Sequence, residues 1–396
     1  MDSSRASETS KSPTHRLFLC EMEAGDLLDT LNEVQTKMQK SLEKLMICML
    51  RASRGEELTI GFLGGSITQG SVASSHELTY AYRVYQWWCE SFPKAVFHYV
   101  NGGIGGTTSH FGAARAVDDV LMYQPDVVFV DFSVNDDATL FFQETYEGVI
   151  RRLLTWPSNP AVVVLNNVFY DTGSNAQEYH NAVAAHYQIP CVSIRDTIYR
   201  KIWEGIYTAG ELTPDNLHPN DKGHGLVAQE VIRLLEAARG ELDGRTTYQK
   251  QSLPAPLTPN AYQQARRLNI TNTNPRLCGF RADTEEKKGH LDVFKNGWLG
   301  SRLGDKIVFE IEASCIAVQY RKTIHKPSPT ARAVLDGNKE SSWLLEGNFE
   351  ETWGDCLYLE VILHHGQRKL HTVEIEIVEA GEEIQTPFYL LSLIIA

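Results

Sequence analysis

The chain has 396 residues, 42% of them hydrophobic, which is enough for two or three domains with cores of their own. Its formal net charge of −13 argues against nucleic acid and anionic membranes as partners, since both would repel it. No run approaches the roughly 18 apolar residues of a membrane span, and the seven cysteines form no C-x-x-C pair, against a disulfide framework or a zinc knuckle.

Residues 1–15 are polar and Ser/Thr-rich and read as a disordered tail. An N-terminal helical segment follows over 16–54: Leu27, Leu28, Leu31, Val34, Met38, Leu42, Leu45 and Met46 recur at helical spacing. The simple reading is a helix packed on the next domain; an oligomerisation helix, and with it a homodimer, is the alternative. The N-terminus lacks the apolar stretch of a secretory leader, and unpaired thiols suit a reducing compartment, so a cytoplasmic location is expected.

From residue 55 to 243 the grammar is α/β. LTIGFLGG, AVFHYVNGG, PDVVFVDFSVND, AVVVLNNVF and IPCVSI are short apolar runs of the kind that form buried parallel strands. Helical segments near 79–91, 110–123, 143–154 and 176–187 alternate with them, and VAQEVIRLLEAARG closes the domain. This predicts a parallel sheet flanked by helices, with functional residues gathered where strands end. Residues 244–275, with Pro254, Pro256, Pro259 and Pro275, read as a linker or an extended arm. Over 276–396, KIVFEIEA, CIAVQYRK, ARAVLDG, CLYLEVIL, KLHTVEIEIVE and FYLLSLIIA are strand-length runs without an intervening helix, which predicts an all-β sandwich or jelly roll.

Four blocks carry candidate chemistry. In GFLGGSITQG, Ser66 follows a strand and two glycines, a tight turn where a substrate can approach closely. Taken singly, an ordinary turn serine is the commoner occupant of such a site, and the segment is not the G-x-S-x-G elbow of α/β-hydrolases. In YVNGGIGGTTSH, Gly102, Gly103, Gly105 and Gly106 can free backbone N–H groups for an oxyanion; the G-x-G-x-x-G spacing of a dinucleotide site is absent. Asn135, beyond the FVDFSV strand, can donate its amide to the same oxyanion. In TPDNLHPNDKGHG, Asp215 and His218 are three residues apart, so a carboxylate can hold one imidazole nitrogen while the other faces a serine. His224 is the rival base in that loop. His364, His365 and His371 read as a strand end rather than a metal site, because no Cys or carboxylate completes a ligand set at suitable sequence spacing.

Together, in the order Ser, Gly, Asn and Asp-x-x-His, these blocks resemble the SGNH hydrolase superfamily, the GDSL-like esterases, over roughly residues 57–240. GGSIT replaces the more usual G-D-S. The resemblance implies a three-layer α/β fold and a triad of Ser66, Asp215 and His218. It also implies an oxyanion hole of Ser66, Gly106 and Asn135, with Gly105 as the neighbouring alternative, and no metal or cofactor. An SGNH domain followed by a β-sandwich resembles the carbohydrate esterases that deacetylate polysaccharides, and the layout is most similar to those acting on mannan, with xylan as the other candidate. The expected partner is then an acetylated oligosaccharide, with Trp343, Trp353, Tyr320 and Arg321 as candidate sugar contacts. A lipase or thioesterase of the same superfamily, and a non-catalytic glycan-binding protein, are the competing readings.

Overall fold

The computed structural model describes residues 40–242, 252–381 and 386–396. The expected tail, Cys20 and the Leu27–Met38 part of the first helix lie outside the described residues. Within them, α1 runs over residues 40–53 and buries Leu42, Leu45 and Met49 on the first sheet's core.

That sheet is built from β1 (Glu57–Gly64), β2 (Val96–Gly103), β3 (Val127–Asp131), β4 (Ala161–Asn166) and β5 (Cys191–Ser193). All its pairings are parallel, and the order is β2-β1-β3-β4-β5. This is a doubly wound arrangement, with the chain reversing its direction of growth at β1 and opening a crevice at the strand C-termini. Between the strands lie α2 (Ser66–Gln69), α3 (Tyr80–Ser91), α4 (Ser109–Asp119), α5 (Leu140–Leu154), α6 (Gln177–His186), α7 (Arg200–Trp203), α8 (Ala209–Leu212) and α9 (Asp221–Gly240). The strands are near-continuous apolar runs because both faces are covered. In β3, Val127 and Phe129 enter the core beneath α1, α3 and α9, while Val128 and Val130 enter the opposite core beneath α4 and α5.

The second unit contains β6 (Arg266–Leu268), β7 (Arg276–Cys278), β8 (Arg281–Ala282), β9 (Trp298–Gly300), β10 (Lys306–Ala313), β11 (Ile316–Lys322), β12 (Thr330–Leu335), β13 (Ser342–Glu346), β14 (Cys356–Leu363), β15 (Lys369–Glu379) and β16 (Phe388–Ile395). They form two sheets, β13-β12-β15-β10-β7 and β14-β11-β16-β9-β8, with β6 added on β16. Phe309, Ile311, Val318, Ile375 and Leu390 interlock between them. The outer face of the second sheet is not solvated. Ala317, Leu357, Tyr389, Leu391 and Ile394 join the α4/α5 core of the first unit.

The stretch expected as a linker is docked rather than free in its described part. Leu257 and Thr258 donate backbone N–H bonds to the buried Glu147 carboxylate, Ala261 donates to Glu144, and β6 pairs with β16. Among the described residues, no helix is long and apolar enough to cross a membrane, and the six cysteines are unpaired.

Candidate active site

Three adjacent strand ends and one loop converge. Ser66 is the first residue of α2, directly after β1; Gly106 follows β2; Asn135 follows β3. The loop between α8 and α9 brings Asp215 and His218 over the same edge. Asn220 caps α9 by accepting from Lys222 N and Gly223 N, and Tyr170 N donates to Asn216 O at 2.7 Å, so the loop is held at both ends.

Ser66 Oγ lies 2.8 Å from His218 Nε2, and His218 Nδ1 lies 2.6 Å from Asp215 Oδ2. The other Asp215 oxygen accepts from the amides of Leu217 and His218 and from the Thr213 hydroxyl. Burial alone would raise the Asp215 carboxyl, but the bonds from the His218 ring and these amides outweigh it and bring it down to about 2. Asp215 is therefore an anion at any working pH and holds the imidazole in the tautomer that presents Nε2 to Ser66. The rival His224 is fully buried, accepts from Tyr80 N at 3.2 Å and bonds Ser71 O. Burial pushes its pKa down to about 4, so it serves as a neutral bridge between α9 and the segment after α2.

The electrophilic side is equally ordered. Ser66 N–H opens α2 and has no partner within the helix. The Gly105 amide donates to Gln69 Oε1 at 2.7 Å and is thereby occupied. Gly106, at φ +66°, makes no backbone or side-chain hydrogen bond among the described residues, which favours it over Gly105 as the free donor. Asn135 lies against Gly65: a Cβ there would meet Asn135 Oδ1 at 2.2 Å. A side chain at position 65 would therefore have to displace the Asn135 amide from where it sits in this chain. Behind Asn135, Asp136 accepts from Ser109 N and pairs with the buried His180 at 3.0 Å, which fixes the loop. Beneath the glycines, the buried Arg115 donates to Gly64 O, Gly102 O and Thr107 Oγ1, tying the ends of β1 and β2 together. Gln69, Asp136, His180 and Arg115 carry no local sequence signal; each acts through contacts made across the fold.

A cleft of about 370 Å³ runs from Gly106 and Asn135 between the two units. His110, Phe141 and Phe142 line one wall, and Gln319, Leu357 and Tyr358 of the β unit line the other. Of the expected sugar contacts, only Trp353 reaches this region. Its ring edge comes within 3.7 Å of where a side chain on Gly106 would begin, and the residue is 59% exposed. Phe349 packs edge-on against it, and Glu351 accepts from its indole N–H. Trp343 instead packs on the sandwich core. Tyr320 is 1% exposed and stacked on Phe388, and Arg321 donates to Pro387 O beneath the Tyr389 ring. Tyr320 and Arg321 are corrected to interior positions: Tyr320 points into the sandwich core between the two sheets, and Arg321, on the opposite face of β11, packs against Phe294 and Tyr389 at the seam with the α/β unit. Elsewhere, Glu144, His364 and His365 form a cluster with metal-ligand chemistry.

The family model described as GDSL-like Lipase/Acylhydrolase matches residues 62–226. A search of curated proteins gives no match. Two crystal structures of a two-domain esterase active on acetylated mannans, the first co-crystallised with mannopentaose, are each 47% identical to this chain. Each covers 89% of it, over 94% and 95% of their own lengths, at TM-scores of 0.85 and 0.86. An acetyl xylan esterase, 25% identical, overlaps 44% of this chain and 98% of its own at a TM-score of 0.38.

Proposed function

We propose, since the chain belongs to the GDSL-like lipase and acylhydrolase family and is a carboxylic ester hydrolase, that it removes O-acetyl groups from mannan-derived oligosaccharides through an acetyl-Ser66 intermediate. The observation that carries this reading is the unbroken hydrogen-bonded chain Ser66–His218–Asp215 beside a free Gly106 amide, with Trp353 of the β unit at the same opening.

His218 Nε2 takes the Ser66 proton as Oγ attacks the acetyl carbonyl. Negative charge gathers on the carbonyl oxygen, where the amides of Ser66 and Gly106 and the Asn135 side chain donate to it. The His218 imidazolium, stabilised by Asp215, then protonates the departing sugar hydroxyl. Water enters, gives its proton to His218 and attacks the acyl carbon; acetate leaves and Ser66 regains its proton. The mannan backbone is supported by the 47% identity to an esterase that acts on acetylated mannans.

The test measures acetate release from acetylated mannan and xylan oligosaccharides, alongside short- and long-chain acyl esters, for the protein and for Ser66→Ala. Acetate from mannan is expected, with kcat lost by at least ~10³-fold in the variant. Hydrolysis confined to long acyl chains would overturn the substrate assignment, and activity surviving in Ser66→Ala would overturn the nucleophile.

A further inference from the structure

We propose that Glu144, His364 and His365 form a binding site for a divalent transition-metal ion of the zinc class, at the seam between α5 and the loop joining β14 to β15. The three ligand atoms lie within 4.8 Å of one another. His365 Nε2 is 2.8 Å from Glu144 Oε2, and His364 Nε2 is 4.0 Å from the same oxygen. Two ligands of one zinc ion sit about 3.3 Å apart, so gathering all three needs side-chain adjustments of under about 1 Å.

Several features converge on that arrangement. Successive residues of an extended strand point to opposite sides. His365 breaks the alternation with a left-handed backbone, φ +52°, and both imidazoles face one carboxylate with ring centroids 4.1 Å apart. The groups behind the ligands are also placed. Tyr262 OH lies 2.9 Å from His364 Nδ1, which leaves Nε2 to face Glu144. The other Glu144 oxygen accepts from Ala261 N at 2.8 Å, leaving Oε2 to the histidines. Partners of this kind on the far side of each ligand fix its orientation in metal sites. Two imidazoles and one carboxylate suit zinc, and water would complete the coordination. Reading His364 and His365 along the chain hid this, because their carboxylate comes from an element more than 200 residues away. His371, the third histidine of that reading, bonds Asp336 and Gln367 instead.

The ligands come from both units, so a bound ion would clasp them. Full-length protein is freed of metal with EDTA, and zinc binding is measured by equilibrium dialysis and by the thermal midpoint. The comparison is a double variant, His364→Gln with His365→Asn; Asn tolerates the left-handed backbone at 365. The expected result is one more equivalent of zinc on the natural protein than on the variant, and a midpoint raised by several degrees in zinc only for the natural protein. Zinc taken by His218 and Asp215 would appear in both and cancel. Equal stoichiometry, or equal midpoint shifts, overturns the site. Circular dichroism and hydrolysis of a small ester verify that the variant is folded. Glu144→Gln, which retains an acceptor for Ala261 N, should lose the extra equivalent as well; its retention would remove Glu144 from the ligand set.

Discussion

Asp131 closes β3 beneath the nucleophile turn and makes no ion pair among the described residues. One oxygen accepts from Asn167 at 2.8 Å and from Thr68 at 3.2 Å, while the other is buried without a partner. Burial raises its pKa to about 7, against the donors that work to lower it. Between about pH 4 and 7 the unfolded chain is ionised there and the folded one keeps its proton. Stability from this group is therefore full below about pH 4, falls as pH rises to about 7, and is flat above, by at most ~4 kcal/mol. Asp131→Asn presents an acceptor to Thr68 and Asn167 and carries no charge. Its stability relative to the natural protein should rise from pH 5 to pH 8 in urea unfolding; a constant difference would contradict the burial account. At this scale the sequence was legible where partners are local. Asp215 and His218 sit three apart on one loop, and Ser66 follows a strand. The resemblance put the oxyanion glycine at Gly106 but left Gly105 open beside it, because the distinction rests on Gln69, from α2. Trp353 could not be told from Trp343 because both flank turns and only one turn faces Gly106.

At the scale of elements, α5 does more than cover the sheet. Its buried Glu147 accepts from Leu257 N, Thr258 N, the Thr258 hydroxyl and the Tyr187 hydroxyl. Burial would raise its pKa, but these donors lower it, so the carboxylate stays charged and holds the 257–258 segment. Glu147→Ala leaves buried donors unpaired and should cost about 3 kcal/mol or more. It should also open the segment around Leu257 to protease; unchanged cleavage and midpoint would argue against the tie. This docking explains why residues 252–275 read as a linker. Their prolines and lack of apolar period are real, but the segment is held by backbone donors to a carboxylate from elsewhere, which periodicity does not register. The alternating strands of the β unit and the continuous runs of the α/β unit were legible because one-sided and two-sided burial leave different patterns. β11 and β16 were the exceptions: β16 is buried throughout, and the second covering layer is the other unit.

At the scale of the molecule, the two units share a core. Apolar side chains of the β unit enter the α4/α5 cluster, and Leu357, Leu391 and Ile394 among them are worth roughly 1.5–3 kcal/mol each as an upper range for full burial. A seam of that kind fixes one unit against the other and sets the β13–β14 loop over the nucleophile. Trp353→Ala should raise KM for acetylated mannan oligosaccharides about tenfold, the equivalent of ~1.4 kcal/mol, and leave kcat/KM for a small acetyl ester within about twofold. Equal losses on both substrates would give Trp353 a structural role instead. Gathering Ser66, Gly106 and Asn135 at three neighbouring strand ends was legible as a rule of doubly wound sheets. The seam was not: the continuous apolar run of β16 marks burial on both faces without saying which element supplies the second layer.

The shared core also bears on how such a protein can be redesigned. Exchanging the whole β unit for another binding module would strip Ala317, Leu357, Tyr389, Leu391 and Ile394 from the core of the catalytic half and expose an apolar face on α4 and α5. The exchangeable part is far smaller. The stretch between β13 and β14 is held by Thr323, whose hydroxyl donates to Asp355 and whose carbonyl accepts from Phe349 N, and it brings the Trp353 indole up to Gly106. Directed libraries that keep Thr323, Phe349 and Asp355 and vary the residues around Trp353 would change what the enzyme grips without disturbing how it cuts.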